Sequence, residues 1–196
     1  AAGVRTRIAD VGDPGLPALV RAGLAGRTPA AAIAVAGVIH GADAWATGDD
    51  AWDVLLRVNL HGVRRLAEAT VPAMIAAGTG RFVAVASAAG LRGMRKLGAY
   101  SAAKAAVIGY VRALAADLDG TGVTANAICP GSTRGAMLEA SAAIYGLPDQ
   151  DRFAEQQLAR RLLEPAEIAE AIHWLCSPAG SGCTGAVIPV DGGLTV

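Results

Sequence analysis

Residues Tyr100-Ser101-Ala102-Ala103-Lys104, at the head of a long alanine-rich segment, are the stretch on which the reading of this chain turns. Residues four apart on a helix lie one above the other, so the Tyr100 phenol and the Lys104 ammonium share a face. A free tyrosine titrates near pH ~10 and is a poor base at neutral pH. A fixed positive charge beside it favours the phenolate and is expected to lower that value. Such a tyrosine can give a proton to a developing alkoxide or take one from an alcohol. Composition sharpens the point, because the chain carries fifteen Arg and only two Lys, Lys96 and Lys104. An ammonium is a compact donor of three protons, which a planar guanidinium cannot replace in a tight site. A Tyr–Lys pair at this spacing also arises by accident on exposed helices, so it decides nothing alone.

Its surroundings decide it. Ser87 closes the strand-like apolar run Arg81-Phe82-Val83-Ala84-Val85-Ala86-Ser87, thirteen residues before Tyr100. Asn59 lies twenty-eight residues further back, in the helical pattern Trp52-Asp53-Val54-Leu55-Leu56-Arg57-Val58-Asn59. Pro130-Gly131 directly follows a second apolar run, residues 123–129. Asn59, Ser87, Tyr100 and Lys104, in this order and at these spacings, resemble the catalytic tetrad of the short-chain dehydrogenase/reductase family. The resemblance extends from Asp10 to Val190-Asp191-Gly192-Gly193.

That resemblance implies an α/β, doubly wound parallel sheet of Rossmann type, one domain over residues 1–196. It implies hydride transfer between a nicotinamide cofactor, NAD with NADP not excluded, and a secondary alcohol or ketone. Tyr100 would be the acid–base, Lys104 would hold the ribose, and Ser87 would bind the carbonyl oxygen. Asn59 would bend its helix and hold a water leading to Lys104; a bond to nearby backbone is the plainer role for it. Further cofactor contacts would come from Asp10 and Val11 at the adenine, from Ala36 and Gly37, and from Pro130, Gly131 and Thr133 (or Ser132) at the nicotinamide end.

Strand–helix alternation along the chain agrees with this fold class. Residues 4–11 read as a strand, broken by Gly12-Asp13-Pro14-Gly15 before a helix over residues 16–24; Asp13 capping that helix explains the turn equally well. Residues 30–38 form a continuous apolar run, expected as a central strand covered on both faces. The run contains Ala34-Val35-Ala36-Gly37 where the family usually has Asn-Asn-Ala-Gly. A helix follows from about residue 45, with apolar residues at helical period through Leu66. The helix opened by Tyr100 runs to about Leu118 and is apolar on more than one face, which suggests a second subunit against it. Residues 137–151 show little regular pattern and hold one aromatic, Tyr145, so they are expected to form a mobile flap over the substrate or a disordered loop. Leu163-Glu164-Pro165 starts a last helix, and residues 184–193 a last strand.

Composition narrows the partners. Hydrophobic residues make up 53% and charged residues 17%, with no net charge, which points away from nucleic acids and acidic membrane surfaces. A chain so lean in charge is expected to be a homo-oligomer, with a tetramer as the expected form. Cys129, Cys176 and Cys183 lack metal-ligand spacing, as do the three His, so no metal is assigned and reduced thiols in the cytoplasm are expected. No uncharged apolar run approaches the ~20 residues of a membrane span.

Dinucleotide folds of this class place the pyrophosphate on a glycine-rich turn after the first strand. No such turn is found among the 25 glycines, and the resemblance begins at the family's third strand, with the first two βα units absent. The Asp10 strand is therefore expected either to stand apart from the strand at residues 30–38 or to pair with it. Productive dinucleotide binding by these 196 residues is not expected. A non-catalytic nucleotide-binding or regulatory protein of the same fold is the alternative function. Within the family, Ala34–Gly37 and the stretch 140–148 resemble the mycofactocin-coupled subgroup, whose members hold NAD tightly.

Overall fold

The computed structural model describes residues 4–196. Its sheet contains β1 (Ala31–Ala34), β2 (Gly80–Val85), β3 (Val123–Pro130) and β4 (Val187–Val190), all parallel and in that spatial order. Between β1 and β2 run α2 (Asp49–Leu56), a π-helical turn (Arg57–His61) and α3 (Gly62–Ala77). The helix α4 (Gly98–Asp117) joins β2 to β3, and α5 (Ala136–Tyr145) and α6 (Pro165–Cys176) lie between β3 and β4. The helix α1 (Leu16–Leu24) precedes β1.

Alternation along the strands divides the core into two layers. Phe82 and Ala84 face one side, where they pack with Val63, Met74, Val107 and Val111 of α3 and α4. Val83 and Ile128 face the other, against Ile168, Ile172 and Leu175 of α6. Covered on both faces, β3 is buried from Val123 to Cys129, which is why its sequence is mostly small and apolar, interrupted by the buried Thr124 and Asn126. α6 begins as its sequence predicts: Pro165 occupies the first turn, and Glu164 and Glu167 form a reciprocal capping box.

Three expectations are corrected. Residues 4–10 form no strand, whether paired with β1 or set apart from it. A strand is stabilised by a neighbour's ladder and none meets this segment, so Val4 and Ile8 stand in solvent. The segment is tied down at its end instead: Asp10 accepts from the Gly12 amide at 2.7 Å and pairs with Arg57 at 2.8 Å. Arg65, nine-tenths buried, donates to the Gly12 carbonyl at 2.9 Å.

Second, the strand expected over residues 30–38 is shortened to the four residues of β1 and is not covered on both faces, with Ile33 41% exposed; among the described residues it pairs with β2 alone. Third, residues 137–151 are mostly ordered as α5 and the start of a 3-10 segment (Gln150–Gln156). The helix α5 pays little for its weak amphipathic pattern, because it needs to bury only Ser141 and Ala142 while Tyr145 packs edge-on against Phe153 at 5.8 Å.

Candidate active site

The parallel strands all end on one side, and the loops that leave β1, β2 and β3 there enclose a pocket of about 380 Å3. Sites of open α/β sheets form at the carboxyl ends of the strands, where successive loops diverge. Gly37, Ser87, Tyr100, Lys104, Pro130, Gly131, Thr133 and Tyr145 all line this pocket. Asp10, Val11 and Ala36 do not. Asp10 is held by Arg57 and Gly12 away from the pocket wall, and Ala36 is exposed.

Tyr100 and Lys104 sit one turn apart on the buried face of α4, 5% and 3% exposed. Helix position alone explains their juxtaposition, and the burial of Ala99, Ala103, Val107 and Val111 fixes which way that face points. The Lys104 ammonium donates to the Val85 carbonyl at 2.9 Å and lies 5.8 Å from the Tyr100 ring centroid. Burial pulls its pKa down to about 8. The same desolvation pushes the Tyr100 phenol above its ordinary value, with the Ser87 hydroxyl pulling the other way. The expected lowering of the tyrosine by Lys104 is thus not what this site displays: the ammonium is turned to a backbone carbonyl, and burial dominates. A phenol held above its usual pKa is protonated at neutral pH, so this site holds a proton donor at Tyr100 Oη.

Ser87 ends the strand segment in extended backbone, and its hydroxyl accepts from the Ala89 amide at 3.1 Å, capping the turn Ala88–Gly90. Gly90 lets that turn approach α4; a side chain there would stand 2.9 Å from the Lys104 backbone carbon.

Asn59 does not touch the pocket. It is fully buried in the π-helical turn, where one extra residue per turn breaks the regular helix. Its amide nitrogen donates to the Val38 and Leu55 carbonyls, both at 3.0 Å, and its Oδ1 accepts from the Val38 amide at 3.2 Å. The side chain therefore stitches the helix to the loop after β1, including the nearby-backbone bond that the sequence left open. Gly37 lies between this carboxamide and the site. A methyl group on Gly37 would stand 2.9 Å from Asn59 Oδ1 and 3.5 Å from Lys104 Nζ. The glycine thus leaves both groups facing one small space.

On the far wall, Thr133 donates to the Gly131 carbonyl at 3.2 Å, and the Ser132 amide donates to Gln157 Oε1 at 2.8 Å. Gln157, 1% exposed, ties this loop to the Arg161 carbonyl, to which its amide nitrogen donates; a side chain at Gly131 would meet its Oε1 at 2.5 Å. The sequence offered no signal for Gln157, which sits in the polar run Glu155-Gln156-Gln157 without periodicity. Met137 was equally illegible. Its Sδ accepts from the Tyr100 hydroxyl at 3.8 Å, bringing the start of α5 over the phenol.

A nicotinamide and its ribose fit this pocket on its own terms. The floor is made of backbone at Gly37 and Gly131, where a Cβ would intrude, and hydroxyls and an ammonium converge from one side. Among the described residues, groups of His, Cys, Asp and Glu able to hold a metal are absent, and so is a helix long and apolar enough to cross a membrane.

Fold and site together define a nucleotide-type α/β scaffold, and comparison places it. The chain belongs to the short-chain dehydrogenase/reductase family: a family model described as enoyl-(acyl carrier protein) reductase matches residues 24–195. It is 35% identical over 176 residues to 2-(S)-hydroxypropyl-CoM dehydrogenase 3 of Xanthobacter autotrophicus, covering 88% of this chain and 66% of that protein. An oxidoreductase of the short-chain dehydrogenase/reductase family from Burkholderia thailandensis superposes with a TM-score of 0.84 at 31% identity, over 96% of this chain and 72% of that one. A Beutenbergia cavernae protein put forward as an NAD(P)-dependent gluconate 5-dehydrogenase, with NADP bound at low occupancy, superposes with a TM-score of 0.90 at 32% identity, over 97% and 76%. The chain spans 66%, 59% and 61% of the lengths of the first curated relatives it matches.

Proposed function

We propose that this chain carries the proton-transfer and substrate half of an NAD(P)-dependent oxidoreductase that interconverts a secondary alcohol and a ketone. The observation that supports this most is the convergence of Ser87, Tyr100 and Lys104 on one pocket with glycine-floored walls. The hydride exchanged with the reacting carbon would be the chemistry that a nicotinamide supplies when held there. The residues do the rest. Tyr100 Oη gives its proton to the substrate oxygen in reduction and takes it back in oxidation, while the Ser87 hydroxyl orients that oxygen. Lys104, Gly37, Pro130, Gly131 and Thr133 are assigned to the nicotinamide–ribose end, and Tyr145 to the substrate. Asn59 acts behind Gly37, with a water between its neighbourhood and Lys104.

NAD is the preferred cofactor from the resemblance; NADP is bound in the Beutenbergia structure, so both belong in the test. A cytoplasmic homotetramer is the assembly proposed. The mycofactocin-linked assignment rests on Ala34–Gly37 and residues 140–148 alone, and the names of the relatives above lend it nothing. Calorimetry first determines whether these 196 residues bind NADH or NADPH; in protein that does, the assay is absorbance of the reduced nicotinamide with each cofactor across a panel of ketones, for the unaltered protein and Tyr100→Phe. Ketone-dependent oxidation that vanishes in the variant supports the reading. Nucleotide binding without turnover on any of the panel would favour the non-catalytic alternative.

A further inference from the structure

The catalytic hydroxyls occupy only one end of the pocket. Most of the remaining wall is apolar, built from Ile39, Met94, Leu97, Met137, Leu138 and Phe153, with Ser141 and Gln156 as neutral polar members. Two apolar clusters merge here, one around Leu97 and Tyr100 and one around Phe153 and Leu162, and Tyr145 belongs to both. The Tyr145 hydroxyl is turned out to the Arg95 carbonyl at 2.5 Å, which leaves its ring as the surface offered inward.

Charge is absent from that wall in any usable form. The lining contains no carboxylate. Its guanidinium, Arg134, is engaged by Asp151 at 3.0 Å and Glu164 at 3.3 Å, and its ammonium, Lys104, is engaged by the Val85 carbonyl. Arg95 stands beside Tyr145 but outside the lining. An anionic tail seated in this wall would lose its hydration without gaining a counter-ion, which is costly, whereas an apolar tail gains from every group it buries.

Met137 marks where such a substrate enters. The Tyr100 hydroxyl donates to its thioether, so the sulfur stands in the acceptor position that a substrate oxygen must take. Its methyl also approaches the space beside Gly37, 3.7 Å from where a Cβ would stand. Methionine is unbranched and adapts its rotamer readily, so it can leave the phenol and lie along a substrate's carbon chain.

We infer that the substrate of this site is a neutral ketone or secondary alcohol with an extended apolar arm, seated against Met94, Tyr145 and Phe153, and that Met137 is the specificity-determining side chain that yields to it. The inference rests on the oxidoreductase reading for the reacting group, but it is tested without cofactor. The chain has three methionines, and they are placed as reporters: Met94 and Met137 line the pocket, and Met74 is fully buried beneath β2. With carbon-13 in the methionine methyls, and Met137→Leu and Met94→Leu for assignment, 2-nonanone should shift Met94 and Met137 saturably and leave Met74 in place. Its counterpart with a carboxylate in place of the far terminal methyl, 8-oxononanoate, should require at least about tenfold higher concentration for the same shift. Met137→Asp, at a 40% exposed position that tolerates a polar group, should weaken the nonanone response at Met94 about tenfold with Met74 unchanged. Tighter binding of the keto acid than of the ketone, or no response at Met94 and Met137, would overturn the inference. Nonanone binding without turnover of any ketone would instead count against the oxidoreductase chemistry and leave the apolar pocket standing.

Discussion

At the scale of single residues, the site depends on groups deprived of water. Tyr100 is the clearest case: removing its hydroxyl removes proton transfer and little else. In protein that turns over, Tyr100→Phe should lower kcat by ~10² or more with cofactor affinity nearly unchanged, measured by steady-state kinetics and nucleotide titration. Lys104 makes a prediction that needs no cofactor. Its folded pKa, about 8, lies below the ordinary value of 10.5, so the unfolded chain holds the proton more tightly. Stability should therefore be lowest below pH 8 and rise as pH climbs from 8 toward 10.5, by on the order of 3 kcal/mol in full. Cys129 works in the opposite direction, since burial raises its thiol from 9.0 to about 11 and stability falls through that window. Urea unfolding of the protein and Lys104→Met at pH 7 and pH 10 separates the two, because the thiol contributes to both proteins. A difference that does not change with pH would refute the buried ammonium. At Gly37, the 2.9 Å approach to Asn59 Oδ1 predicts that Gly37→Ala costs about 1–3 kcal/mol, read in the same unfolding assay.

At the scale of elements, rigid and loosely held pieces divide the pocket between them. The buried face of α4 carries Tyr100 and Lys104 against β2, while α5 buries only Ser141 and Ala142. Its two ends are glycines with positive φ, Gly135 at 146° and Gly146 at 65°. Besides local packing it is fastened by polar contacts: Tyr145 to Arg95, and Gln150 to both Gly135 and Glu139. Few buried apolar contacts and glycine ends mark a segment of low local stability. Amide hydrogen exchange over residues 136–151 should be faster than over α4, and Tyr145→Phe should speed it further. Protection of α5 equal to that of α4 would show that it is not the movable wall.

For the whole molecule, two surfaces bear on assembly. The outer side of α4 presents Ala102, Ala105, Gly109 and Ala113, small and exposed, along a helix that the sequence reads as apolar all round. Such a face allows close approach of a second copy, and light scattering should report a multiple of the 19.6 kDa chain, four copies in the proposed assembly. A stable monomer at micromolar concentration would refute it. The second surface is the outer edge of β1, which among the described residues pairs with β2 alone and leaves Ile33 exposed; a strand added there would cover it.

What the sequence determined by itself was local or periodic. The Tyr–Lys spacing on one helix face, the buried apolar runs of β2 and β3, the start of α6 at Pro165 and the breadth of α1 depend on nearest neighbours along the chain, and all were legible there. The tetrad's order carried the family for the same reason. Tertiary structure decided the rest. Residues 4–10 have strand-like residues but no ladder partner, and pairing is a property of two segments. The helix α5 formed despite a weak pattern, because contacts through Tyr145 and Phe153 outweigh propensity. Asn59 and Gln157 became bridges only when Val38 and Ser132 were brought to them from 21 and 25 residues away. The pKa of Tyr100 was decided by burial and by where the Lys104 ammonium points, neither of which is written in the spacing of two letters.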